Sequence, residues 1–269
     1  MRGIAGSSLL ILKLLAFCGP GLKMVVVAGL FFFALSPILE LYLVKLIADF
    51  ILGSLDDMSQ PMKIFSVAKI LGLLVVVYGL RYTVKVGRIS FVNHLMGELE
   101  ERATKPSPWL RAALIEQSQI MAVFIQLVAM AAVCFYIDVV LGGAFLLILG
   151  LSYSYSSRQF LKQLHLQRKF RFNKKTPRHE LANQKVYQRV RAQELASAFS
   201  SFTAALMLVV LLIMIAFGSI EPVTALVGLF LVRLYNITLG MFAGSVMRMA
   251  RALAYVDSSM LPRSNIGKG

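Results

Sequence analysis

The polar positions of this chain fall into narrow bands between long apolar runs. "MVVVAGLFFFALSPIL" (24–39) carries no charged residue, and neither does "LASAFSSFTAALMLVVLLIMIAFGSI" (195–220). A helix of about 20 apolar residues crosses the hydrocarbon core of a bilayer. The second run is long enough alone, and the first becomes so with its amphipathic continuation "ELYLVKLIADFIL" (40–52). The pattern predicts six spans, at about 24–52, 62–98, 109–136, 139–165, 195–217 and 223–256. The breaks between them have local causes. Residues 53–61 hold Asp56 and Asp57, and "TKPSP" (104–108) holds two prolines that cannot continue a helix. Asp138 marks a very short turn, and in "GSIEP" (218–222) Pro222 is well placed for a first helical turn. The fold class is therefore expected to be all-α, with one membrane domain over 24–257.

The two ends read differently. Residues 1–23 have a basic start and a short apolar stretch interrupted by Lys13, followed by Gly19-Pro20-Gly21 and Lys23. This predicts an amphipathic elbow helix lying in the interface, with the Gly-Pro-Gly bend leading into the first span. Residues 258–269 are polar and are expected to form a flexible tail.

Composition agrees. The chain has 269 residues, 58% of them hydrophobic, and a mean hydropathy of +0.74, which excludes an ordinary soluble domain. Its 28 Lys+Arg outnumber 13 Asp+Glu, giving +15. In a soluble protein that excess would suggest nucleic acid. Here its distribution disfavours that reading. The turns near 53–61, 138 and 218–222 hold Asp56, Asp57, Asp138 and Glu221 and no Lys or Arg, whereas the basic residues cluster on the other side. Lys/Arg asymmetry of this kind marks the cytoplasmic side. The expected arrangement is N-in and C-in, in a bacterial cytoplasmic (inner) membrane.

Few residues carry candidate chemistry. Cys18 and Cys134 lie in apolar context without metal spacing. His94, His165 and His179 share no ligand spacing with Cys, Asp or Glu, and the serines at 7–8 and 152–157 have no base at recognisable spacing. No enzyme activity, metal or cofactor is expected of this chain. Glu40, Arg81 and Arg233 fall inside spans, where ionisable groups are costly and face a bundle interior or a polar path. They are the translocation-path candidates, with Glu40 a possible proton carrier and a structural ion pair as the competing reading. Lys45 and Asp49, four apart, are expected to pair locally. Residues 158–191 hold a dense basic run against Glu180 alone. Within it Arg168, Lys169, Arg171, Lys174, Lys175 and Arg178 are candidates for docking anionic lipid headgroups or an acidic partner. Thr238, Gly240, Gly244 and Ser245 include small residues four apart, suited to close helix packing within the chain or between subunits.

Three stretches together carry a family resemblance: "SPILELYLVKLIADFILG" (36–53), "YIDVVLGGAFLLILGL" (136–151) and "FGSIEPVTALVGLFLVRLYNITLGMFAGSVMRMARALAYVDSS" (217–259). In layout the chain resembles the transmembrane half of type-I (exporter-fold) ABC transporters. The first stretch looks like the outer end of that family's first span, the second like its turn between spans three and four, the third like its sixth span. The amphipathic elbow fits as well. The resemblance implies a homodimer or a heterodimer with another exporter-like half, in which spans four and five cross over to the partner. It departs from the family in two respects. No G-x-x-x-x-G-K-[ST] occurs, so an ATPase would have to be a separate subunit. The two inner loops are also short, without the family's "F-F-D…G-x-L-x-x-R" and "S-G-x-x-x-[IV]-[KR]" stretches that approach the ATPase.

Two functions are expected on these grounds. One is a transport subunit for an amphipathic or peptide-like substrate, driven by a separate ATPase or an ion gradient. The other is a non-transporting membrane scaffold of exporter fold, part of a larger membrane assembly, which recruits a partner through its basic inner loop.

Overall fold

The computed structural model of the protein describes residues 20–52, 60–102, 108–172 and 178–255. They form six long helices: α1 (Pro20–Leu52), α2 (Gln60–Arg102), α3 (Pro108–Ile137), α4 (Val139–Phe172), α5 (Arg178–Ala216) and α6 (Pro222–Tyr255). Among the described residues five stretches are long and apolar enough to cross a membrane: Pro61–Thr83, Pro108–Ile137, Val139–Lys169, Val186–Ala216 and Pro222–Tyr255. They lie in α2 to α6, and they make this an integral membrane protein.

The helices outrun their apolar stretches. α4 continues to Phe172 and α5 begins at Arg178, well outside the expected 139–165 and 195–217. Arg, Lys, Gln and Glu are good helix formers, so polarity ends the apolar run without ending the helix. Within the described residues, Pro20 to Lys23 are helical and continuous with the rest of α1. The rest of the expected elbow, and the tail at 258–269, lie outside the described residues.

Local chemistry closes the two described short turns. Asp138 caps α4, its Oδ1 accepting from the backbone N–H of Val140 at 2.6 Å and of Leu141 at 3.2 Å. The turn is so tight that a Cβ on Gly142 would overlap the ring of Phe135 on α3. At the end of α5, Gly218 adopts φ +67°. Its N–H reaches the carbonyl of Ile215 at 2.9 Å, while that of Ser219 reaches Met214 at 3.0 Å. This is the Schellman pattern, which requires a left-handed residue. Pro222 then opens α6, as the sequence predicts.

α6 is the centre of the bundle and touches α1, α3, α4 and α5. Tyr235, Phe145, Met207, Leu231, Leu127 and Met130 fill the space around it, each almost wholly buried. α4 and α5 pack on each other and along α6 of their own chain, rather than standing apart from it. α2 lies to one side, mainly against α1, and only 6% of its membrane-length stretch is buried.

Candidate functional site

The three ionisable residues expected within spans separate into two places. Glu40 on α1 and Arg81 on α2 meet as an ion pair. Ser36, one turn before Glu40, donates its hydroxyl to Glu40 Oε1 at 3.2 Å. The carboxylate is largely covered, at 14% exposure, while the guanidinium is 42% exposed. Both carboxylate oxygens are thus occupied, which fits a structural pair fixing α2 to α1. Arg233 is not part of this pair. It stands exposed on the outward side of α6, and among the described residues it has no hydrogen-bonding or ionic partner.

A second polar group, not anticipated as a unit, joins α4, α5 and α6. Ser152 Oγ lies 3.1 Å from the Tyr235 hydroxyl, and Ser152 also donates to the Ile148 carbonyl at 2.8 Å. Thr203, also buried there, donates its hydroxyl to the Ser200 carbonyl at 2.9 Å. Ser200 Oγ in turn lies 3.0 Å from Asn236 Oδ1. Phe145 packs edge-on against the Tyr235 ring at 5.1 Å. Ser152, Thr203 and Tyr235 are fully buried, so their hydroxyls must bond to one another or to backbone. The group stitches three helices together and holds no base that would activate a hydroxyl.

Toward the opposite end, Arg248 on α6 bonds through Nε to Glu116 Oε1 on α3 at 2.6 Å, and through its guanidinium to Ser245 at 3.0 Å. Trp109 of α3 stacks on Tyr255 of α6 at 4.6 Å, and Tyr155 of α4 stacks on Phe199 of α5 at 4.0 Å. Thr238 and Ser245 are buried inside the chain. Gly240 and Gly244 are only half-buried. The small residues of α6 therefore divide between an inward and an outward face.

Lys45 and Asp49 do not form the expected ion pair. Asp49 instead lines a shallow groove between α1 and α2 with Leu46, Phe50, Phe65, Ser66, Lys69 and Ile70. Of the basic docking candidates, Arg168 and Lys169 are exposed on α4. Arg171 and Arg178 are described by their helical backbone alone, and Lys174 and Lys175 lie outside the described residues.

No protein-family model matches the chain, and no curated protein is significantly similar to it.

Proposed function

We propose that this protein is a membrane-embedded assembly subunit, which works by binding a partner rather than by passing a substrate through its own bundle. In this reading α1 is a sixth span beside the five of α2 to α6, and the six have the layout of an exporter half. The chain lies N-in and C-in in a bacterial cytoplasmic membrane, with the basic stretch at 158–191 facing anionic headgroups or an acidic partner. The observation that carries the reading is how the polar groups are used. Glu40 is bound by Arg81 and Ser36, and the hydroxyls at the bundle centre are bonded to neighbouring side chains and backbone carbonyls. A translocation path needs polar groups left over for water or substrate.

A second reading, a transport subunit, is favoured by Arg233 alone. If two exporter-like halves met across α6, Arg233 would face the space between them, and a separate ATPase or an ion gradient would drive the cycle.

Cysteine accessibility separates the two. With Cys18 and Cys134 replaced by alanine, single cysteines at Leu226, Phe230 and Ile237 are exposed to a membrane-impermeant thiol reagent from either side. An assembly subunit leaves all three unreactive, because lipid or a packed helix covers them. Reaction from water at all three would support transport and sink the assembly reading.

A further inference from the structure

We infer that the outward face of α6 around Arg233 docks a transmembrane helix of a different protein, and that this helix carries an aspartate or glutamate near the middle of its own span. The inference rests on the assembly reading and specifies the chemistry of the partner.

The face is continuous. Leu226, Arg233, Ile237, Gly240 and Gly244 follow one another at spacings of three, four and seven, so they lie on one side of an α-helix. Leu229, Phe230 and Met241 flank them and are exposed. Along one edge the face meets α5, where a Cβ on Gly240 would come 4.0 Å from Ser200 Oγ. Gly244 would meet only the side chain of Arg248, at 3.4 Å, on its own helix. The two glycines therefore leave backbone open to close approach by another helix.

Arg233 decides what can approach. It lies about 16 Å along the helix from Pro222, taking 1.5 Å per residue, which is near the middle of a hydrocarbon core about 30 Å thick. An arginine side chain reaches too short a distance to bring its charge to either interface from there. Left to lipid, the guanidinium is costly and its five N–H donors go unmet. The other exposed residues of this face, Leu229, Phe230, Ile237 and Met241, are apolar, which suits a packed helix better than a hydrated channel. It is an apolar strip with one cation at its centre, and its complement is an apolar helix with one anion at the same depth.

A second copy of this chain does not supply that anion. A symmetric pair in one membrane brings Arg233 opposite Arg233, or opposite groups at equal depth. Depth below the short-turn end can be read from helix position for every acidic residue in the described spans. Asp49, Asp138 and Glu221 lie at that end, and Glu116 and Glu194 lie about 32 Å from it. Glu40, about 18 Å from the end of α1 at Leu52, is at the right depth but is bound to Arg81. A different chain must bring the carboxylate.

The test uses the full-length protein in phosphatidylcholine vesicles, labelled with a donor fluorophore at Phe217→Cys in the background lacking Cys18 and Cys134. The probe is a single-span polyleucine peptide with lysine ends, carrying an acceptor and either Asp or Leu at its centre. Energy transfer should show the Asp peptide binding about tenfold more tightly than the Leu peptide. The preference should vanish in Arg233→Leu and persist in Arg233→Lys, and Gly240→Leu should weaken binding of the Asp peptide. Equal binding of the two peptides, or a preference unchanged by Arg233→Leu, would overturn the inference. So would self-association of the chain that the Asp peptide cannot displace, since the occupant would then be a second copy. Loss of the preference when phosphatidylglycerol is added would also overturn it, by assigning Arg233 to a lipid phosphate. If the peptides fail to discriminate while the cysteines at 226, 230 and 237 stay unreactive, the docking inference falls and the assembly reading survives.

Discussion

Arg81 of α2 reaches across to Glu40 of α1, and with Ser36 it occupies both oxygens of a carboxylate that is only 14% exposed. Since α2 buries little of its surface elsewhere, this pair contributes unusually to its placement.

Removing one partner should therefore cost more than removing both. Arg81→Leu leaves a covered carboxylate without its counter-charge and should destabilise the protein by about 1–2 kcal/mol, the half-exposed guanidinium keeping the loss below that of a fully buried pair. Adding Glu40→Leu should recover most of the loss. Thermal unfolding in mild detergent, run as a double-mutant cycle, measures it, and equal losses in the single and double variants would contradict the pairing.

The Tyr235 hydroxyl and the Tyr235 ring should separate cleanly. Tyr235→Phe removes the bond to Ser152 and should cost about 0.5–1 kcal/mol, the range of a hydrogen bond between membrane helices. Tyr235→Ala empties the space beside Phe145 and should cost about 3–5 kcal/mol. The same unfolding assay reads both, and Ser152→Ala should add little once the hydroxyl is gone.

Gly142 should tolerate no side chain while Phe135 is present. Gly142→Ala forces the Phe135 ring aside at the α3–α4 turn, at a cost of about 1–3 kcal/mol. Combining it with Phe135→Ala should relieve that cost, because the obstruction is the ring itself.

The chain pattern showed most of the fold. Apolar run length placed the helices, and Asp138, Gly218 and Pro222 marked their turns, because each of these residues has a local backbone reason to be there. Where α5 ran past its apolar stretch back to Arg178, the pattern was silent: good helix formers prolong a helix without any apolar signal. The Ser152–Tyr235–Thr203 group was in principle legible. All three residues sit about 20 Å from the short-turn ends of their helices, and comparing depths would have brought them together. The orientation of Arg233 was not legible. Lipid and protein interior are equally apolar, so hydrophobic periodicity does not tell an inward face from an outward one in a membrane helix. Glu40 and Arg81 were singled out as charges, but only the contact between α1 and α2 shows that they neutralise each other.

α2 is tied at a second height as well, where Arg111 of α3 donates to Asn93. Its register against the bundle is thus marked by two directional bonds at different heights. Changes in bilayer thickness act along the helix axis and press most directly on the helix most exposed to lipid. A thicker or thinner membrane would accordingly load those two bonds first, which makes α2 the element through which this bundle feels its surroundings.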